Sequence, residues 1–293
     1  MIISDSFHQS MFIHVFNKKN GEHLKSFGGK GLGPGELTHP ISIGIDKKNN
    51  RLIVYSHNQK KMIHYDIASL LNETINYEEQ KVTMNGPYVS DMRFANEKIF
   101  VRGITEDMRF GLKDGSSINV LWDNYPKILN DKNNSEEDRA VLNYASMWKV
   151  SPDGKKMVHA TYIGGIIEFF SIDDTNHVQS ERINHYYYPS YKLVDGATPL
   201  AVSWHQETTL GFQGLFVSDS TVYALVNGGK ASDMSFFPKD IAVFNWKGKG
   251  DIKYTLDISI SVFAVDEKET KIYAVTFPNE EWDEDIKLVC FDY

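Results

Sequence analysis

A chain of 293 residues is long enough to bury a large core, and its 15 Tyr and 17 Phe favour sheets, because flat rings pack well on pleated surfaces. The formal net charge of −8 argues against a nucleic-acid partner, which requires a basic face. No apolar run reaches the roughly 18 residues of a membrane-spanning helix. The single cysteine, Cys290, excludes a disulfide framework and is predicted to be a small buried hydrophobe in "IKLVCF".

The first distinctive segment is the glycine-rich stretch "FGGKGLGPGELTHPISIGID", residues 27–46. A phosphate-binding loop needs Ser or Thr after its lysine and a helix after its last glycine. Here Gly31 follows Lys30, Pro34 stands where a dinucleotide fingerprint needs its third glycine, and an alternating strand follows. We interpret the segment as architecture, a sharp crossing from the outer strand of one repeat to the inner strand of the next.

Repeated hairpins follow along the chain. Five segments join an alternating apolar strand to a second apolar strand through a tight polar turn: "ISIGIDKKNNRLIVYS", "VSDMRFANEKIFVRG", "ASMWKVSPDGKKMVHAT", "GLFVSDSTVYALV" and "SVFAVDEKETKIYAVTF". A third strand such as "MIHYDI" or "IAVFNW" and a more polar fourth strand such as "EEQKVTM" come next. Four strands in each roughly 40–50 residues, repeated, are typical of β-propeller blades.

The pattern predicts one all-β domain over residues 1–293, a six-bladed β-propeller with four-stranded antiparallel blades. The predicted blade cores are residues 1–28, 41–84, 89–123, 146–184, 210–257 and 259–293. Insertions are predicted at 124–145, with a short helix, and at 185–209, which is rich in aromatic residues. The first blade lacks an inner strand and the last blade lacks an outer one. We therefore expect both strands, and a signal peptide beyond them, upstream of Met1 in the native protein.

Two stretches resemble known propeller families. The first resembles the blade junction of NHL-repeat propellers and is carried by Phe27, Gly28, Gly31, Gly33, Gly35, Glu36, Pro40, Gly44, Ile45 and Asp46. The C-terminal third, with "VSDSTVYALVNGGKA", "IAVFNWKGKG" and "ISVFAVDEKETKIYAVT", resembles the TolB-like six-bladed propellers of Bacteroides-type bacteria. That resemblance implies an exported protein of the cell envelope, periplasmic or lipid-anchored at the surface, although the chain as given carries no signal peptide.

Two classes of function remain open. Some six-bladed propellers are calcium-dependent hydrolases of the lactonase type, which need several oxygen ligands converging from inner strands. Asp91 is the clearest carboxylate inside a predicted inner strand, whereas Asp46 and Asp266 fall at turns, where aspartates usually shape the turn. We therefore predict a non-catalytic scaffold without catalytic residues, metal or cofactor, and keep the calcium-dependent hydrolase as the alternative.

The predicted binding face collects the starts of first strands and the loops between second and third strands. Its ligand would be a protein, a peptide or a glycan. The candidate residues are His39, His57, Tyr88, Arg102, Trp148, Tyr162, Tyr186, Tyr187, Tyr188, Trp204 and Phe212. The run "HYYYPSY" is predicted to fold back onto the propeller. For Tyr88, Trp148 and Phe212, burial in the core is an equal alternative. The ten histidines are dispersed along the sequence, and His185 beside "YYYPSY" forms the only local cluster.

Overall fold

The computed structural model describes residues 1–5, 8, 10–38, 40–85, 89–105, 108–125, 146–187, 191–193, 202–204, 206–233, 237–276 and 287–293. These residues form β-strands and two short 3₁₀ turns, Ile67–Ser69 and Ala231–Asp233. In this part of the chain, no helix has the length and apolar character needed to cross a membrane. The fold is all-β, with the six antiparallel sheets of a six-bladed β-propeller.

Each of the first three sheets pairs strands that are consecutive in the chain. The first has three strands: β1 (Ile2–Ser4), β2 (Met11–Phe16) and β3 (His23–Gly29). The second has four: β4 (Pro40–Asp46), β5 (Arg51–Ser56), β6 (Lys61–Asp66) and β7 (Tyr77–Lys81). The third also has four: β8 (Val89–Ala95), β9 (Lys98–Thr105), β10 (Met108–Asp114) and β11 (Ser117–Trp122).

The remaining blades follow the same order, with a small ribbon between the fourth and the fifth. The fourth blade comprises β12 (Ser146–Val150), β13 (Lys156–Thr161), β14 (Ile166–Ile172) and β15 (Val178–His185). The ribbon pairs β16 (Tyr191–Leu193) with β17 (Val202–Trp204). The fifth blade comprises β18 (Phe212–Val217), β19 (Thr221–Val226), β20 (Asp240–Asn245) and β21 (Gly250–Thr255). The sixth comprises β22 (Ile260–Asp266), β23 (Lys271–Thr276) and β24 (Leu288–Asp292).

Burial follows the position of a strand within its blade. The middle strand β13 is buried along nearly its whole length, because other strands flank it on both edges. The outer strand β7, "YEEQK", is exposed at every position. This difference explains why the middle strands are continuous apolar runs in the sequence, whereas the outer strands are polar.

The chain divides into two compact units. The first comprises Met1–Gly103 and Phe110–Leu121, and the second comprises Ile104–Arg109 and Trp122–Tyr293. In the first unit, the buried core includes Phe12, Ile13, Val15, Leu52, Val54 and Ile63. In the second unit, one core packs the fourth blade against the fifth through Val158, Ala160, Ile167, Phe169, Phe212, Val222, Ala224 and Phe244. Each core therefore joins neighbouring blades of its own unit.

The turn aspartates act as the sequence predicts. The Asp46 carboxylate accepts hydrogen bonds from the backbone N–H groups of Lys48 and Asn49, at 3.1 and 3.2 Å. Asp266 accepts the equivalent pair in the sixth blade, also at 3.1 and 3.2 Å. Each aspartate therefore closes the hairpin between the first and second strands of its blade.

The prediction that Cys290 is buried is wrong, because the residue is exposed. It lies on β24 opposite Tyr273, and among the described strands β24 pairs only with β23. The strand alternates, with Phe291 half-buried and both Cys290 and Asp292 exposed. An apolar run indicates burial only when both faces of a strand are covered, and here one face meets solvent.

Candidate ligand-binding site

Two N–H groups of the glycine-rich loop between β3 and β4 already donate to carboxylates of this chain. The backbone N–H of Gly33 donates to the Glu36 carboxylate at 2.7 Å, and that of Gly35 donates to the Glu79 carboxylate. The Lys61 ammonium donates to the Gly33 carbonyl at 3.2 Å. Because carboxylates already occupy these two amides, an incoming phosphate would meet negative charge. The loop is therefore architecture, as the sequence indicates.

A pocket of about 450 Å³ lies in the second unit, between the fourth and fifth blades. We call it the tyrosine pocket, after Tyr186 and Tyr187 at its edge. It is lined by Gly165, Tyr186, Tyr187, Gly211, Phe212, Val226, Asn227, Gly228, Asp240, Ala242, Val243, Phe244, Gly250, Ile252 and Lys253. Glycine and alanine positions contribute little volume, so they leave space between the tyrosines and the sheet of the fifth blade.

The two tyrosines are fixed by backbone pairing with Gly165. The N–H of Tyr186 donates to the Gly165 carbonyl at 2.9 Å, and the N–H of Gly165 donates to the Tyr187 carbonyl at 3.0 Å. A Cβ at Gly165 would lie 2.7 Å from Cδ2 of Tyr187, so a larger residue would displace that ring. The Tyr186 ring meets Phe212 edge to face, with centroids 6.4 Å apart. The described start of the aromatic insertion therefore packs back onto the blades.

One ion pair supplies the charges of the pocket. The Lys253 ammonium lies 3.0 Å from Oδ2 of Asp240, and the Thr255 hydroxyl donates to Oδ1 at 2.7 Å. Burial raises the pKa of Asp240, but the hydrogen bonds from Thr255 and Lys253 outweigh it and leave the pKa below its ordinary value. Asp240 is thus ionised at neutral pH, and its charge cancels that of Lys253 within the lining.

Three of the candidate residues from the sequence meet at this pocket: Tyr186, Tyr187 and Phe212. Tyr186 and Tyr187 are 54% and 43% exposed, whereas Phe212 is 2% exposed and forms the buried wall. Sequence reasoning did not include Asp240, Lys253 or Asn227. Their contribution depends on strand register, since Asp240 lies opposite Thr255 and Lys253 opposite Ala242.

The other candidates are not in this pocket. Trp148 and Arg102 are buried on β12 and β9, so Trp148 contributes to the core. His57 follows β5 and packs edge to face on Tyr55, and Tyr162 is exposed after β13. Trp204 lies on β17. The remaining candidates, His39, Tyr88 and Tyr188, lie outside the described residues.

A buried polar cluster in the second unit was missed from the sequence. Arg109 pairs with both carboxylate oxygens of Glu168, with Nη1 3.0 Å from Oε1, and donates to the Asn124 carbonyl at 3.0 Å. Nδ1 of His159 lies 3.1 Å from Glu168, and Nε2 lies 2.8 Å from the Ser146 hydroxyl. The signal was a charged residue between apolar neighbours in each of two third strands: Arg109 in "MRFGLK" and Glu168 in "IIEFFSI".

This cluster contains a Ser–His–Glu hydrogen-bond chain, yet it is closed to solvent. Ser146 is 4% exposed, His159 0% and Glu168 2%. Burial by itself raises the pKa of Glu168, but the charge of Arg109 and the hydrogen bonds from His159 and Arg109 lower it to about 2. The carboxylate is therefore a permanent counter-ion to Arg109, and we regard the cluster as structural.

Three histidines that are separate in sequence come together in the first unit. The His14 ring lies 5.0 Å from His8 and 6.1 Å from His23, measured between centroids. Nδ1 of His14 and Nε2 of His23 both lie 2.8 Å from the Ser26 hydroxyl. The pairing of β2 with β3 brings them together, because His14 lies opposite Ser26. Their dispersal along the sequence therefore gave no sign of this spatial cluster.

Asp91, the carboxylate singled out for calcium, is engaged locally. It accepts hydrogen bonds from Arg93 and Ser42, at 2.7 and 2.8 Å, and from the N–H of Met92 at 2.7 Å. Within the described residues, no group of three or more His, Cys, Asp or Glu side chains is arranged to hold a metal ion.

The fold and the pocket define the class of protein: an all-β propeller with a ligand-sized cavity between two blades. The family model for TolB-like 6-blade propeller-like proteins matches residues 1–268, so the chain belongs to the TolB-like six-bladed propeller family. No curated protein matches the chain in sequence.

Solved structures share the fold at low sequence identity. A DUF4221 family member from Bacteroides vulgatus is 12% identical, with a TM-score of 0.53 over 98% of this chain and 88% of that chain. An exported-protein candidate of Bacteroides fragilis is 13% identical, with a TM-score of 0.52 over 90% and 73%. The β-propeller domain of Myceliophteria thermophila Cps50 (Swd1) is 7% identical, with a TM-score of 0.51 over 90% and 87%. At these identities the likeness shows the fold alone.

Proposed function

We propose that this protein is a non-catalytic binding scaffold and that its ligand docks in the tyrosine pocket. The observation that carries the proposal is the pairing of two half-exposed tyrosines with a 450 Å³ cavity that also holds an ion pair. Binding sites for small ligands are typically concave, mostly apolar and equipped with a few fixed polar groups. The tyrosine pocket has each of these properties.

The chemistry of the pocket supports binding more than catalysis. Its carboxylate, Asp240, is held by Lys253 and Thr255, and is thus a fixed anion with a lowered pKa. A general base works best with a pKa near the working pH, which burial usually produces by raising the pKa of a carboxylate. The pKa of Asp240 is shifted in the opposite direction, below its ordinary value.

The proposal includes a location in the cell envelope. It is supported by membership of the TolB-like family and by the fold shared with an exported-protein candidate of Bacteroides fragilis. Fractionation of the native host with an antibody against the chain tests it. We expect the protein in the periplasmic or membrane-associated fraction, and recovery in the cytosol would contradict this location.

The binding proposal is tested by affinity selection from a defined library of peptides, glycans and metabolites, with mass spectrometry as the readout. Wild type is compared with Ala242→Leu, which fills the pocket, and with Tyr187→Ala, which removes part of its edge. The control is Tyr77→Ala, because Tyr77 lies on β7 in the first unit and is 42% exposed, close to the 43% of Tyr187.

We expect wild type and Tyr77→Ala to select the same compounds and both pocket variants to lose them. Equal selection by all four proteins, or selection by none, would contradict the proposal. The calcium-dependent hydrolase is tested beside it. We expect neither calcium nor chelator to change the melting temperature, whereas a calcium-dependent rise together with lactone hydrolysis would favour the hydrolase.

A further inference from the structure

We propose that the ligand of the tyrosine pocket is a neutral glycan, bound through one sugar ring that stacks on tyrosine and hydrogen-bonds to the Asp240–Lys253 pair. This inference rests on the proposed function, since it names the ligand class of that same pocket. Three features support it: the exposed tyrosines at the edge of the pocket, the adjacent donor and acceptor of Lys253 and Asp240, and the absence of a net charge on that pair.

The aromatic edge offers flat apolar surface that is open and held in place. Tyr186 and Tyr187 expose about half of their surface, while their backbones are paired to Gly165 on both sides. The edge-to-face contact with Phe212 supports the Tyr186 ring from the buried side. A pyranose ring presents a face of C–H groups that packs on such a surface, with its hydroxyls directed sideways.

The ion pair provides a donor and an acceptor side by side. The Lys253 ammonium and the Asp240 carboxylate lie 3.0 Å apart, and the Lys253 side chain is 60% exposed. Neighbouring hydroxyls on a sugar ring are separated by a similar distance, and each hydroxyl can both donate and accept. One hydroxyl can therefore donate to Asp240 while the next accepts from Lys253, with charge assistance on both bonds.

The charge and size of the pocket favour a small neutral ligand over a charged one. Because Asp240 and Lys253 neutralise each other, the pocket gives no net attraction to a phosphate, a uronic acid or a cationic peptide. A volume of about 450 Å³ is at the lower end of the range for ligand pockets and accommodates on the order of one to two sugar rings.

Saturation-transfer NMR tests the inference directly. The probes are neutral methyl glycosides and disaccharides, their uronic-acid counterparts, and a set of short uncharged peptides. We expect saturation transfer to neutral sugars only, strongest at the C–H protons of one ring face. Tyr186→Ala and Asp240→Asn should each weaken binding at least about tenfold, which corresponds to ~1.4 kcal/mol. Tyr77→Ala, which lies outside the pocket, should bind as wild type does.

The outcomes separate this inference from the function on which it rests. Pocket-dependent binding of peptides or acidic glycans, with none of neutral sugars, would overturn the glycan inference and leave the binding function standing. Neutral-sugar binding that survives both Tyr186→Ala and Asp240→Asn would overturn the inference by placing the site elsewhere. If no probe binds and the affinity selection is also negative, both proposals fail.

Discussion

Arg109 and Glu168 form a buried ion pair between strands β10 and β14, with both side chains less than 3% exposed and both carboxylate oxygens engaged by the guanidinium. A charge in such a position is stable only while its partner is present, because water cannot replace the lost interaction. His159 and Ser146 extend the pair across the fourth blade. The stability of this blade therefore depends on a charge balance as well as on packing.

Removing one charge of this pair should destabilise the protein strongly. We expect Glu168→Gln to lower the free energy of unfolding by about 3–5 kcal/mol, because it leaves the Arg109 guanidinium buried without its counter-ion. Urea unfolding followed by tryptophan fluorescence measures the change. The control is Glu97→Gln, which breaks the exposed pair with Lys48 and should leave stability unchanged.

The double variant Arg109→Met with Glu168→Leu separates charge from packing. Because both charges are removed, we expect it to recover most of the stability lost by Glu168→Gln. A loss below ~1 kcal/mol in Glu168→Gln, or no recovery in the double variant, would contradict this account of the pair.

Acid should destabilise the protein through the same carboxylate. The pKa of Glu168 is lowered from its ordinary value of 4.5 to about 2, since the charge of Arg109 and the bonds from His159 and Arg109 outweigh the effect of burial. As pH falls, the Glu168 carboxylate is therefore protonated in the unfolded state before it is protonated in the folded state. The contribution of Glu168 is complete above pH 4.5 and is lost as pH falls toward 2. The difference in unfolding free energy between wild type and Glu168→Gln should shrink across this window. If the difference in unfolding free energy stayed constant across this window, it would contradict the lowered pKa of Glu168.

Gly211 should not tolerate a side chain. A Cβ at this position would overlap the carbonyl oxygen of Gly164 and lie 2.6 Å from that of Thr161, and backbone atoms cannot move aside as a flexible side chain can. We expect Gly211→Ala to cost about 1–3 kcal/mol in unfolding free energy. The control is Gly29→Ala, whose Cβ would meet only Met11 Sδ at 3.9 Å and should change stability by roughly 0.5 kcal/mol or less. Equal effects at both positions would show that close approach is not the cause.

The histidine cluster should make stability depend on pH near neutrality. The pKa of His14 is lowered by burial and by the charge of His8, and further by His23, with Asp5 opposing these effects. His14 is thus neutral in the folded state, whereas the unfolded chain takes up a proton near the ordinary value of 6.5. Stability should therefore fall as pH drops below 6.5 and level off below the folded pKa.

Melting temperatures between about pH 7.5 and pH 5.5 measure this effect. His14→Asn keeps a polar atom near the Ser26 hydroxyl and should flatten the profile in this range. His177→Asn is the control, because His177 is exposed in the second unit and its replacement should leave the slope as in wild type. A wild-type slope in His14→Asn would contradict the role of the cluster.

The sequence by itself determined the blade pattern, because strand alternation and turn chemistry are local. Asp46 and Asp266 close their hairpins through residues only two or three positions away, and the polar run "YEEQK" is an exposed outer strand. Tyr186 and Tyr187 could be recognised as pocket candidates because an aromatic run needs apolar contacts wherever it lies. Each of these inferences depends on neighbours in the chain.

Only the tertiary structure decided which distant residues meet. The Arg109–Glu168 pair joins residues 59 positions apart, and His14 meets His23 because β2 and β3 pair in one register. Asp240 and Lys253 line the same pocket as the tyrosines because two blades pack face to face, and Cys290 is exposed because its side of β24 meets solvent. Strand pairing and blade packing are set by the summed burial of the whole sheet, so no short stretch of sequence specifies these contacts.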